Sequence, residues 1–192
     1  MGRRQVLARS AVPLVALAIV VGAGASSARA KVPSDLQTAV SAYVQDLGKL
    51  ESMAPAAVEG LNLAATTCTK LKDAGDPALA QATRIFANRF SADLTEIQAW
   101  VRSLIVGGNG IDRVFARHWA ESILNEFNER DHEVIDALNG MTGGVRDAVK
   151  ALYAGDCSGA TAAHSKVAKA RDQLKTAGNK IRAFFSSLGA RV

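Results

Sequence analysis

The sequence predicts an all-α, single-domain antiparallel bundle of four to five helices, tied by one disulfide. Three observations lead there. Apolar residues recur at spacings of three and four almost throughout the chain, the period of a helix with one buried face. No segment alternates apolar and polar residues for long enough to form a strand. Cys68 and Cys157 are the only cysteines. They have no C-x-x-C spacing and no histidine cluster, so they read as a structural pair formed in an oxidising compartment. Closing so long a loop contributes about 4 to 5 kcal/mol on the chain-entropy account.

The first segment is not part of that bundle. Arg3, Arg4 and Arg9 precede an apolar run from Ala11 to Ala25, and Ala28-Arg29-Ala30 supplies small residues where a signal peptidase reads. Residues 1–30 are therefore expected to be a cleaved signal peptide, and residues 31–192 the helical bundle domain. Pro13, Gly22, Gly24, Ser26 and Ser27 make the run too short in apolar residues to stay behind as an anchor, so no transmembrane segment is expected after cleavage. Arg3-Arg4-Gln5-Val6-Leu7 also fits a twin-arginine export signal, and either route delivers a periplasmic or secreted protein.

Charge follows from the same division. The chain has 23 Lys and Arg against 18 Asp and Glu. Arg3, Arg4, Arg9 and Arg29 leave with the leader, which holds no acid, so the mature chain is close to neutral. Nucleic acid is not an expected partner.

The elements then follow in order. The first helix starts after Pro33, with Ser34 or Asp35 as cap. Leu36, Val40, Tyr43, Leu47, Leu50, Ala54, Val58, Leu61, Ala65 and Cys68 form its apolar stripe, in phase through Pro55. Asp73-Ala74-Gly75-Asp76-Pro77 breaks the chain and restarts it. The second helix is expected to run to about Val106, with Leu79, Phe86, Phe90, Leu94, Ile97, Val101, Leu104 and Ile105 facing inward. Gly107-Gly108-Asn109-Gly110 reads as a tight turn and Asp112 as the cap of a third helix reaching about Asn139. That turn makes the two helices a hairpin in which Phe90 lies level with Phe127, Leu94 near Ile123 and Trp100 near Trp119. Met141-Thr142-Gly143-Gly144 reads as a further turn, followed by a short helix through Val145 to Tyr153. Gly155-Asp156-Cys157-Ser158-Gly159 is the next break, and the last helix runs from about Ala160 to Leu188.

No motif specifies a reaction. There is no G-x-S-x-G elbow and no C-x-x-C-H haem attachment. Glu129 and His132 have the E-x-x-H spacing of di-metal bundles, but such sites need a second copy and two further glutamates facing inward. Both fall on the polar side, opposite Ile123 and Phe127, so no metal site is assigned, and these two are the nearest approach to one. No cofactor is assigned. The last helix carries Lys166, Lys169, Arg171, Lys175, Lys180 and Arg182 along both edges of its apolar stripe. That arrangement suits an anionic partner or an anionic membrane surface. It suits equally well the acidic segment between Asp112 and Asp136. The reading at this level is an exported, non-enzymatic helical bundle that binds an envelope protein, a lipid or an apolar small molecule. The alternative is a metal- or haem-handling periplasmic bundle.

Overall fold

The ten-residue stripe of the first helix holds without a break. In a computed structural model describing residues 32–72 and 76–192, α1 runs uninterrupted over Ser34–Lys72, and all ten stripe residues are buried. Pro55 sits inside it on the exposed side. The readings of a signal peptide and of a twin-arginine signal fall on residues 1–30, outside the described residues, as does most of the Asp73 to Pro77 break.

Three more helices follow: α2 over Asp76–His118, α3 over Glu121–Tyr153 and α4 over Cys157–Ser187. Each packs on its chain neighbour, and α4 packs back on α1. Paired positions run in opposite directions along every seam. Asp46 meets Ser103 and Gly60 meets Phe90 between α1 and α2. Gly108 meets Asp131 and Asn88 meets Tyr153 between α2 and α3. Glu133 meets Lys180 and Asp147 meets Lys166 between α3 and α4. The four helices therefore form an antiparallel bundle, and Cys68 and Cys157 are bonded, with Cα atoms 5.3 Å apart.

The second helix does not end at Val106. Gly107, Gly108, Asn109 and Gly110 continue α2, and Asp112 lies within it rather than capping a new helix. The chain turns about ten residues later, at Trp119 and Ala120. There the extended backbone of Ala120 (φ −67°, ψ 150°) starts α3 with no side-chain cap. Glu121 in the first turn suits the positive end of the helix dipole. The turn contains neither glycine nor proline, so local chemistry does not mark it. The hairpin register moves accordingly. Phe90 does not meet Phe127: it lies against Gly60 in the disulfide half of the core. Trp100 carries the ammonium of Lys49 over its ring at 4.0 Å, while Trp119 packs edge-on against Phe115. Ile105 is exposed, and Leu79, Phe86 and Leu94 are only half-buried.

The expected turn at Met141-Thr142-Gly143-Gly144 is likewise helical, so there is no separate short helix. A Cβ on Gly144 would come within 2.5 Å of Val167 Cγ2, and one on Gly140 within 3.2 Å of Ala170. These glycines let α3 lie close on α4. Gly155 is the residue that does stop a helix. Its φ of +67° closes α3, with Asp156 N–H donating to Ala151 O and Gly155 N–H to Leu152 O. Asp156 then caps α4, its carboxylate accepting from Gly159 N–H at 2.9 Å. The break is therefore shorter than expected, and α4 begins at Cys157 itself. Gly189 ends α4 in the same way, at φ +87°.

The core has two halves. One is aromatic: Tyr43, Phe115, Phe127, Phe184 and Phe185 meet mostly edge to face with centroids 5.5 to 6.4 Å apart. The other surrounds the disulfide and is lined with small residues, among them Ala64, Ala87, Ala148, Ala160 and Ala163.

Candidate functional site

Two features of the bundle depart from simple core packing. One is a polar junction inside the aromatic half. The other is an apolar groove on the surface between α1 and α2.

The junction begins at Tyr43. Its ring belongs to the α1 stripe and is almost fully buried, so its hydroxyl needs a partner within the protein. The hydroxyl donates to Asp131 Oδ1 of α3 at 2.6 Å. Space for that carboxylate comes from α2. A Cβ on Gly108 would stand 3.3 Å from both Asp131 oxygens, and one on Gly107 would stand 3.7 Å from the Tyr43 ring. The glycines read as a turn are thus the floor of a polar pocket. One helical turn on, at the i+4 position, α2 supplies Asp112, whose Oδ1 is buried without a hydrogen-bond partner.

The electrostatics agree with the geometry. Burial pushes the Asp131 carboxyl above the ordinary carboxylate range. The Tyr43 hydrogen bond and His132 pull it down, and the charge of Asp112 pushes it up. Burial also raises Asp112. Tyr43 is raised strongly, first by burial and then by the charge of Asp131 and their hydrogen bond. All three groups favour their protonated forms, as desolvation dictates.

The groove is different in chemistry. Met53, Gly60, Leu63, Phe86, Phe90 and Ile97 form most of its lining, and its volume is about 300 Å³. Gly60 lets α1 pack directly on the Phe90 ring at its floor, since a Cβ there would lie 3.3 Å from ring carbons. Leu63 beside it is 60% exposed. Arg89 and Asp93 stand at the polar rim, paired at 3.8 Å.

The residues singled out from sequence are distributed as follows. Glu129 and His132 are both exposed on α3. Among the described residues no group of three or more His, Cys, Asp or Glu side chains is placed to hold a metal ion. On α4, the stripe Val167, Ala170, Leu174, Ala177, Ile181, Phe184 and Phe185 is buried in the bundle. Four of the six basic residues at its edges are in ion pairs. Lys166 reaches Asp147 at 2.8 Å and Lys180 reaches Glu133 at 2.7 Å, both on α3. Arg182 grips both oxygens of Glu51 on α1. Arg171 pairs with its neighbour Asp172. Lys169 lines an open groove of about 750 Å³ between α3 and α4, where Glu133, Asp136, Asp172 and Lys180 mix the signs of charge. Lys175 lines a second one between α1 and α4.

Sequence reasoning missed the junction. Tyr43 was legible as core, but Asp112 read as a cap and Asp131 only as the middle of the Glu129 to His132 run. The signal that pointed to it was an aspartate falling within reach of an apolar stripe, opposite two glycines. It needed the true register of α2 and α3 to be seen. Among the described residues, no helix is long and apolar enough to cross a membrane. Neither a protein-family model, nor a curated protein, nor a solved structure matches this chain.

Proposed function

We propose that the protein is an exported, non-enzymatic binding protein of the cell envelope, and that the groove between α1 and α2 takes an apolar small molecule or a segment of an acyl chain. The observation that carries this reading is the apolar lining of the groove, whose floor is Gly60 seated on the Phe90 ring. Met53, Phe86 and Ile97 offer apolar walls, and Leu63 extends the apolar surface outward. A site of about 300 Å³ is at the small end of ligand pockets, which suits one ring system or a short run of methylenes. Export rests on the basic, apolar and A-x-A pattern of residues 1–30, and the Cys68–Cys157 bond suits an oxidising compartment.

The test uses a neutral apolar fluorophore, N-phenyl-1-naphthylamine, titrated into the wild-type chain and into Gly60→Leu. A leucine side chain at position 60 enters the groove and displaces the Phe90 ring, the nearest neighbour of that position. Wild type should bind with enhanced emission, and Gly60→Leu at least about tenfold more weakly, the scale set by a few methylenes in an apolar site. Equal binding by the two proteins, or none by wild type, would overturn the assignment of the groove.

A further inference from the structure

The junction of Tyr43, Asp112 and Asp131 is more polar than a bundle core requires, and nothing in the proposed binding role uses it. Three helices contribute to it. The Tyr43 hydroxyl satisfies one oxygen of Asp131. The second oxygen stands as close as the first to the position a Gly108 Cβ would take, and Asp112 lies one turn further along α2. Asp112 Oδ1 is buried with no donor. Asp112 acts on Asp131 as a like charge, and one of its own oxygens is buried without a partner. A proton held jointly would give the orphan its partner and remove one of two like charges.

Among the described residues no ion pair is made to Asp112 or Asp131, and the nearest cations are His132, which lowers Asp131, and Arg130, whose Nε is buried without a partner. From α1, Tyr43 is a neutral donor, and Asp46 one turn away is engaged by Lys49 and Ser103. From α2, Arg113 beside Asp112 is exposed. From α3, Arg130 turns to Glu126 at 2.6 Å and lies over the Phe184 ring. His132 is exposed and acts on Asp131 only as a nearby charge. From α4, Phe184 and Phe185 close the space and carry no charge.

We propose that Asp112 and Asp131 share a single proton, and that this proton is a clasp holding α2 to α3 where Tyr43 of α1 meets them, so that the bundle tightens as its surroundings become mildly acidic. The direction follows from linkage. A carboxyl raised in the folded state binds its proton more tightly there than in the unfolded chain. Stability therefore rises as pH falls through the raised folded value, and the gain is complete below the ordinary value of 3.8. Above the folded value, both carboxylates are charged and the clasp is open.

Two measurements test it on the chain with its disulfide intact. In the first, urea unfolding is followed from pH 8 to pH 5 in a His132→Gln background, so that no histidine adjoins Asp131. The folding equilibrium constant should rise toward pH 5, by about tenfold for each unit by which the pair's titration is displaced. Asp112→Asn supplies a permanent donor in place of the shared proton, and it should abolish most of that rise while matching the acid-form stability at pH 8. In the second, side-chain carboxyl carbons of unmutated protein are titrated by NMR. One aspartate of the pair should change its shift well above the ordinary carboxylate range, coupled to a shift change in the other. The NMR arm stands even if the asparagine variant does not fold. Ordinary, independent titration of both aspartates would overturn the proposal. So would an unaltered pH slope in a folded Asp112→Asn protein.

Discussion

At the scale of single residues, most of the stability of this bundle comes from apolar side chains that the periodicity identifies, but the placement of neighbours is set by a few polar contacts. Glu51 and Arg182 are the clearest. Each is only about a quarter exposed, and both guanidinium nitrogens reach both carboxylate oxygens across the α1–α4 seam. Gly178 makes room for the pair, because a Cβ there would collide with Glu51 Oε1 and stand 3.2 Å from Arg182 Nη1. Glu51→Ala should therefore cost about 1 to 3 kcal/mol, the range for a charge-assisted hydrogen bond lost in a partly shielded place. Gly178→Ala should cost a similar amount by expelling the same carboxylate. The double variant should cost clearly less than the two together, because both substitutions remove one interaction. Urea unfolding of the three variants measures the coupling, and simple additivity would show that Gly178 and Glu51 act separately. The ion pair could not be read from sequence. Arg182 was legible as an edge residue of the last helix, but its partner lies 131 positions away, on a helix whose rotation about its own axis sets the contact.

At the scale of elements, glycine is the residue whose meaning the sequence left open. Gly155 and Gly189 end helices, with positive φ and the hydrogen bonds of a left-handed stop. Gly107, Gly108, Gly110, Gly140, Gly143 and Gly144 lie inside helices, although their local sequences look more like turns. What decides is the neighbour across the seam: Asp131 for Gly108, Ala170 for Gly140, Val167 for Gly144. Helix propensity alone would charge about 1 kcal/mol per glycine against α2 and α3, and packing overrides it. Gly110 has nothing within 4 Å of its Cβ position. Gly110→Ala should therefore stabilise the protein by about 0.5 to 1 kcal/mol, or raise Tm by roughly 1 to 4 °C. Gly144→Ala should lower stability by about 1 to 3 kcal/mol through overpacking against Val167. Thermal unfolding followed by circular dichroism separates these signs, and a loss at Gly110 would restore the turn reading there. The α1 stripe, the α4 stripe and the break before α4 were legible because their signals are local. The Trp119–Ala120 turn was not, because tertiary packing makes it with residues that carry no turn preference.

At the scale of the whole molecule, the disulfide and the two core halves divide the work of holding the bundle. The aromatic half is densely packed and large. The disulfide half relies on alanines that bury little area each, and there the Cys68–Cys157 bond joins the end of α1 to the start of α4. Cys68→Ser with Cys157→Ser should lower the unfolding free energy by up to about 4 to 5 kcal/mol. The loss should appear in urea midpoints without a change of helix content under native conditions. Both sulfurs are nearly inaccessible, at 1% and 7% residue exposure, so reduction of the native protein should wait for unfolding. Measured thiol release in dithiothreitol should then track the unfolding rate across a urea series, and rapid release without urea would show that the disulfide end opens independently.

The same bond has a mechanical consequence. Gln37 and Arg191 hold each other through two hydrogen bonds at the end of the bundle opposite the cysteines, so the two ends of the α1–α4 seam lie together. A pull applied between residues 34 and 192 loads that seam as a zipper, one contact after another, rather than shearing it all at once. Opening proceeds along α1 and α4 until it reaches Cys68 and Cys157, where the covalent bond takes the tension. The 89-residue interval between the cysteines, which holds all of α2 and α3, lies in a closed ring that carries no load. Tension alone can draw out only the two outer arms, roughly 240 Å of chain at about 3.4 Å per residue. A reductant releases the remainder, about 300 Å more.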